Sequence, residues 1–335
     1  MSLRSLSVQI RELSFVAPFH ISGYTFAKQD VVVVTLEQDG HHGHGEAAGV
    51  YYLGDSAQGL ADTIESVRSE IEDGLDRQSL QSRLSPGGAR NALDCALWDL
   101  EAKRSGTPVW ATAGLQGIHP VITTFTLGAD APERMATGAS EGHYAHARAL
   151  KLKLTGDLQL DLARVRAVRE ARPDVWIGVD ANQGFSIGDL PALVQGLQGL
   201  QVSLLEQPLA RGREADLEGF DSPIPIAADE SALTLRDVPG LVGRFNVVNI
   251  KLDKCGGLTE GLAIAREARR LGLGVMVGNM IGTSMAMAPG LVLAQFCDHV
   301  DLDGAIPLSN EPNPRTQYVN GKVWCLPETW GNPDP

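Results

Sequence analysis

An α/β barrel preceded by a smaller α+β unit is the fold that this 335-residue sequence predicts. From about residue 120 onward, short apolar runs alternate with stretches carrying apolar residues at helical spacing, the pattern of βαβ units and a parallel sheet. Eight such runs recur roughly 25 residues apart, which suits a closed eight-stranded barrel. The first 115 residues read differently, as a meander of alternating runs followed by helical stretches.

In chain order, residues 5–15, 30–37 and 43–48 alternate apolar and polar side chains and predict three antiparallel strands. Helices follow over 57–72 and 89–103, the second with Ala92, Leu93, Ala96, Leu97 and Leu100 on one face. Barrel strands are expected at 121–127, 149–154, 175–180, 202–206, 224–229, 247–252, 275–278 and 300–302. Crossover helices are expected over 157–171 and 258–271. A proline-rich tail after Leu308 ends in an apolar piece, 322–326, able to return to the first unit. The expected organisation is thus an α+β unit over 1–115, completed by 309–335, and a barrel over 116–308.

Hydrophobic content of 43% and charged content of 21% describe a globular chain with a sizeable core. Apolar runs such as 31–34 are far too short to span a bilayer, and no charged-then-apolar leader opens the sequence, so a cytoplasmic protein is expected. Twenty-eight basic residues against 41 acidic ones give a net charge of −13 with no basic stripe, which argues against nucleic acid or an anionic membrane as partner. The four cysteines, Cys95, Cys255, Cys297 and Cys325, are scattered without metal-type spacing and read as reduced structural thiols.

Chemistry concentrates at the strand ends, where barrels of this type gather their active sites. Strands three, four and five end in VDAN, LEQP and ADES, placing Asp180, Glu206 and Asp229 on consecutive strands. Three crowded carboxylates repel one another without a cation, and hard oxygen ligands suit Mg²⁺. In strand two, KLKL sets Lys151 and Lys153 on one face, where mutual repulsion is expected to lower the pKa of one of them. Strand six adds Lys251 in NIKLDKCGG, and strands two and six lie on opposite sides of an eight-stranded barrel. Lys153 and Lys251 are therefore expected to face each other across the metal, one base for each face of a substrate carbon. Such a pair inverts a stereocentre through the enediolate formed when an α-proton leaves. The run His41-His42-Gly43-His44 reads as exposed residues of a hairpin turn, and CGG as a tight βα turn.

Together with GHGEA and ARNALDCALWDL in the first unit, the motifs KLK, VDAN, LEQP, ADES and KLDKCGG resemble the muconate lactonizing enzyme subgroup of the enolase superfamily, and within it the dipeptide epimerases. The resemblance covers nearly the whole chain. It implies a modified TIM barrel of the (β/α)7β type with an N-terminal α+β capping domain. It further implies Mg²⁺ held by Asp180, Glu206 and Asp229, Lys153 and Lys251 as acid/base pair, Lys151 as electrostatic helper at the substrate carboxylate, and Asn182 as a substrate-binding residue. Strand eight ends VDLDG, and Asp301 and Asp303 match the Asp-x-Asp pair that holds a dipeptide's α-ammonium group.

Residues 15–28 resemble the loop that covers the C-terminal side chain of the substrate in this family, with Phe19, Tyr24 and Phe26 as substrate-binding candidates. Relatives acting on Ala-Glu carry an arginine in this loop; Phe26 stands near that place here, which points away from Ala-Glu. Glu46 and Asp298, if they face the pocket, would favour a cationic side chain. The resemblance thus implies a small-molecule dipeptide substrate of the L-Ala-Xaa type and is compatible with a homo-oligomer. N-acylamino acid racemisation, o-succinylbenzoate synthesis and muconate-type cycloisomerisation use the same metal and lysines and are the alternative activities. A catalytically silent carboxylate-binding barrel is the alternative outside catalysis.

Overall fold

A computed structural model describes residues 4–21, 24–312 and 314–334, with the side chains of residues 17–26 outside the described set. The chain opens with an antiparallel sheet of β1 (Ser5–Ile21), β2 (Tyr24–Gln38) and β3 (His41–Ala47), in the order β1-β2-β3. Alternation of side chains buries Val32, Val34 and Leu36 of β2 against a helical layer. That layer is α1 (Ala57–Glu65), α2 (Arg68–Glu72), α3 (Arg77–Arg83) and α4 (Gly88–Ser105). The single helix expected over 57–72 is two, because the backbone turns at Ser66 and Val67 between them.

The histidine run lies in β3 rather than in the turn, which falls at Asp39 and Gly40. His44 is held there by its amide donating to Asp99 Oδ2 at 2.8 Å. The alternate residues Gly43 and Gly45 face α4 so closely that a Cβ on Gly45 would overlap the Ala92 carbonyl oxygen. The glycines of GHGEA are therefore what lets this sheet lie flat on α4.

A one-turn helix α5 (Val109–Thr112) and a short strand β4 (Val121–Ile122) lead into the barrel. Eight parallel strands follow: β5 (Thr124–Leu127), β6 (Ala149–Lys153), β7 (Trp176–Asp180), β8 (Leu204–Glu206), β9 (Ile226–Ala228), β10 (Val247–Lys251), β11 (Gly274–Gly278) and β12 (His299–Val300). They neighbour one another in sequence order from β5 to β12. Helices α6 (Pro132–Gly138), α7 (Leu158–Ala171), α8 (Leu190–Gly199), α10 (Leu258–Arg270) and α11 (Ser284–Ala294) cover the outside, and a single turn, α9 (Leu252–Cys255), precedes α10. Between β8 and β10 the connections carry only single 3₁₀ turns, at Glu214–Leu217 and Val238–Leu241. The result is a near-closed barrel with an N-terminal antiparallel sheet domain.

Side chains of one parity point outward and make the main core, including Leu150, Leu152, Ile177, Val179, Val248 and Ile250. The other parity fills the interior. Its lower layer is apolar, with Leu204, Ala227, Val247 and Met276 packed against Trp176. Further up the same strands stand Asp180, Glu206, Asp229 and Lys251, so an apolar plug forms the floor of a polar mouth.

The seam between the last and first strands is stitched largely by side chains. Leu302 N donates to Thr123 Oγ1, Thr124 Oγ1 to Asp301 Oδ1, and Thr126 N to Asp303 Oδ2. The C-terminal strands β13 (Gln317–Val319) and β14 (Lys322–Trp324) form a small sheet with β4. Beyond them, Trp330 Nε1 donates to the His44 carbonyl and Gly331 N to Asp99 Oδ1, tying the tail to the N-terminal sheet and α4. No helix among the described residues is long and apolar enough to cross a membrane.

Candidate active site

Strand register builds the site. Lys153, Asp180 and Glu206 are direct partners across β6, β7 and β8, so they stand in a row at the mouth. Asp229 follows β9 by one residue, and Lys251 closes β10. All are nine-tenths or more buried. Carboxylate oxygens of Asp180, Glu206 and Asp229 lie within 4.8 Å of one another, a spacing a single cation can bridge.

The lysines flank this triad. Lys153 Nζ donates to Asp180 Oδ2 at 2.7 Å, and Lys251 Nζ to Asp229 Oδ2 at 2.8 Å. One lysine is thus bound to each end of the carboxylate row, as opposed bases require. Lys151 sits deeper and pairs with three carboxylates: Glu206 at 2.8 Å, Asp301 at 3.0 Å and Asp180 at 3.1 Å.

Repulsion within the KLK pair does not lower the pKa of Lys151. Burial opposes the charge on Lys151, but Asp180, Asp301 and Glu206 outweigh it and hold the ammonium well above its ordinary range. Lys251 is raised in the same way, burial being outweighed chiefly by Asp229. Carboxylate attraction wins because Lys151 and Lys251 each touch a carboxylate directly.

Lys254 joins the site although strand alternation does not point to it. The single turn of α9 swings its side chain back into the barrel, where its fully buried Nζ donates to Asp229 Oδ1, Asp229 O and Asn249 O at 2.5, 2.6 and 3.0 Å. Asn249 in turn donates to Glu206 Oε1 at 2.9 Å, so the strand-six motif supports two members of the triad. Gln207 fixes the other side: its Oε1 accepts from the amides of Asp229 and Ser231. Asn249 carries a readable signal, its shared parity with Lys251. Lys254 carries none, since α9 breaks the strand pattern.

Asp301 and Asp303 reach the same mouth from the seam. Asp301 is engaged by Lys151 and Thr124, and Asp303 keeps one oxygen beyond its bond to the Thr126 amide. Burial, with Asp301 alongside, pushes the Asp303 carboxyl up to about 6. Both line a cavity of about 460 Å³ together with Lys151, Lys153, Asn182, Asp229 and Lys251. Asn182 adopts a left-handed backbone at φ 43° and presents a buried Oδ1 with no partner among the described residues.

The N-terminal domain closes one side of this cavity. Asp253 Oδ1 accepts from the amides of Ala48 and Gly49, which anchors the segment that carries Tyr51 and Tyr52 over the site. Their rings meet edge to face at 5.3 Å. The CGG glycines serve packing rather than substrate, since side chains there would strike Arg90 and Asp94 of α4.

Two expected residues are elsewhere. Glu46 is buried against α11, accepting from Thr283 N and Oγ1 at 2.7 Å each, and Asp298 pairs with Arg269 on the outside of the barrel. Neither lines the cavity, so the cationic preference they would confer is withdrawn. Both carboxylates are consumed by local bonds that a linear reading does not reveal. The side chains of Phe19, Tyr24 and Phe26 lie outside the described residues.

The acidic excess has a thermodynamic signature. Burial and Asp180 push Glu206 up to about 8, and burial and Asp229 push Glu230 up to about 7, both from an ordinary 4.5. A carboxyl that binds its proton more tightly when folded loses folding free energy as pH rises through that window, on the order of 1 kcal/mol for each tenfold gain in proton affinity. The melting temperature of EDTA-treated protein is therefore expected to fall between about pH 5 and pH 8, and saturating Mg²⁺ to flatten the decline. A metal-free profile that rises over this range would contradict the assignment.

A capped barrel with three carboxylates between two lysines defines an enolase-type acid/base catalyst. Residues 132–320 match the family model for the enolase C-terminal domain-like fold, and residues 5–114 that for the mandelate racemase / muconate lactonizing enzyme N-terminal domain. The L-Ala-D/L-Glu epimerase of Escherichia coli (strain K12) is 42% identical over 306 residues, covering 91% of this chain and 95% of that protein. A hydrophobic dipeptide epimerase of Roseobacter litoralis is 34% identical, covering 91% of each. The crystal structure of the dipeptide epimerase of Enterococcus faecalis V583, complexed with Mg and L-Leu-L-Tyr, superposes with a TM-score of 0.91 at 29% identity, covering 99% of both chains. The chain belongs to the mandelate racemase / muconate lactonizing enzyme family of the enolase superfamily, among its dipeptide epimerases.

Proposed function

We propose that the protein is a Mg²⁺-dependent epimerase of dipeptides that inverts the α-carbon of the C-terminal residue. The observation that carries this is the pair of lysines at opposite ends of one carboxylate triad, with Asp301 and Asp303 lining the same cavity. Asp180, Glu206 and Asp229 would hold the cation, whose charge stabilises the negative charge that develops on the substrate carboxylate as the α-proton leaves. Lys151 would stand beside that carboxylate. One of Lys153 and Lys251, in its neutral form, takes the Cα proton on one face, the C–H electron pair moves into the carboxylate, and the other, as ammonium, returns a proton to the opposite face. Asp301 and Asp303 would receive the α-ammonium group, with Asn182 as a further contact. In this reading residues 1–115 with 309–335 cap the site and 116–308 catalyse.

Substrates with uncharged C-terminal side chains fit the cavity better than Ala-Glu. Its described basic residues are Lys151, Lys153 and Lys251, all committed to the reaction, and His143, whose burial lowers its pKa. Tyr51, Tyr52, Val16 and Ile281 offer apolar and aromatic wall instead. A cytoplasmic enzyme acting on free dipeptides, with no nucleic-acid partner and as a monomer or homo-oligomer, completes the proposal.

Incubating an L-Ala-L-Xaa panel in D₂O with Mg²⁺ tests it by mass spectrometry. The expected result is a one-deuteron gain at the C-terminal Cα with uncharged Xaa, at rates above that for L-Ala-L-Glu. Absence of exchange across the panel would remove the epimerase reading, and fastest exchange with Ala-Glu would remove the side-chain preference.

A further inference from the structure

Lysines do not serve every carboxylate at the barrel mouth. Asp180, Glu206, Asp229 and Asp301 each have an ammonium group within 3.1 Å, and Asp303 has the Thr126 amide. Glu230 has neither an ammonium group nor another residue's amide among the described residues. It is 3% exposed, lines the cavity directly after the ligand Asp229, and its Oε2 is buried with no hydrogen-bond partner among the described residues.

Leaving such an oxygen unsatisfied costs free energy, about 1 to 3 kcal/mol for a neutral group and more for a charged one. No lysine at the mouth is left to satisfy it: Lys153, Lys251 and Lys254 are bound to Asp180 or Asp229, and Lys151 to three other carboxylates. Among strand-end groups, six carboxyls (Asp180, Glu206, Asp229, Glu230, Asp301, Asp303) face four lysines, so acidic groups outnumber basic ones. Three protein oxygens leave positions around a six-coordinate Mg²⁺ that water and substrate fill, and the waters carry hydrogen-bond donors.

We propose that Glu230 is an outer carboxylate of the metal centre, accepting a hydrogen bond from water on the cation held by Asp180, Glu206 and Asp229, and thereby setting cation affinity. The inference rests on reading the triad as a divalent-cation site. It makes Glu230 a positioning residue that never touches the ion itself.

Titration of the full chain with Mn²⁺, followed by the electron paramagnetic resonance signal of the free ion and without substrate, tests it. Wild-type protein is expected to bind one ion, and Glu230→Gln to bind it about 10- to 100-fold more weakly, the range for lost outer partners. Glu230→Asp, which keeps the charge, should retain most of the affinity. Glu230→Gln should also gain less thermal stability from added Mg²⁺ than the wild-type protein does. Unchanged Mn²⁺ affinity in Glu230→Gln, or in Glu230→Ser should the amide variant fail to fold, overturns the role of Glu230 while the triad reading stands. Failure of wild-type protein to bind Mn²⁺ overturns the triad reading and this inference with it.

Discussion

Replacing Lys153 by alanine is expected to abolish interconversion of the two dipeptide epimers, with a loss on the order of 10³-fold or more, and Lys251→Ala to do the same. The two variants should nevertheless differ. Each lysine is bound to a different end of the carboxylate row, Lys153 to Asp180 and Lys251 to Asp229, so each is expected to serve one face of the substrate carbon. With one base gone, the remaining lysine can still exchange the α-proton of the epimer that points toward it. Proton NMR in D₂O, started separately from the L,L and L,D dipeptides, should show Lys153→Ala washing out the proton of one epimer only and Lys251→Ala that of the other. Exchange of the same epimer in both variants, or epimerisation surviving in either, would refute a two-base mechanism.

Asp301→Asn should lower kcat/KM for dipeptides by about 10²- to 10³-fold, corresponding to the roughly 2 to 5 kcal/mol typical of a broken buried charge pair. Two effects add. The α-ammonium group loses its counter-charge, and Lys151 loses one of its three carboxylate partners, the one reaching from the seam. A stability cost is expected as well, since Thr124 donates to this carboxylate across the β12–β5 seam. Asp303→Asn separates the contributions, because Asp303 contacts the Thr126 amide and no lysine. It should raise KM for dipeptides while sparing kcat and any turnover of N-acyl amino acids, which carry no ammonium group. Equal losses on dipeptides and N-acyl substrates in both variants would show that neither aspartate reads the ammonium.

These expectations draw unequally on sequence and structure. The carboxylate triad and its flanking lysines are legible because strand alternation is a local rule: VDAN, LEQP and ADES end consecutive predicted strands, and KLK repeats at two-residue spacing. The barrel itself is legible for the same reason, through eight apolar runs at regular intervals. The break in the helix expected over 57–72 is not, since the apolar periodicity continues across Ser66 and Val67, where tertiary packing turns the backbone. The histidines of β3 look like turn residues until Gly43 and Gly45 are seen pressed on α4.

Charge is where a linear reading fails most. The Lys151/Lys153 repulsion is visible in the sequence, but its outcome depends on carboxylates contributed by three other strands, one of them at the seam. Glu46 and Asp298 look like free acids near the site, and local partners consume both. Lys254 and Glu230 stand inside the motifs KLDKCGG and ADES, yet whether their side chains turn into the mouth or away is settled by a single turn of helix and by which donors remain. Spacing along each strand was enough to specify the carboxylate triad, the lysines at its ends and the strand order that opposes them, because those features repeat with the two-residue period of a strand. Which carboxylates are paired, and which one is left without a donor, emerged only in three dimensions, because electrostatic partnership depends on distance through space and not on position along the chain.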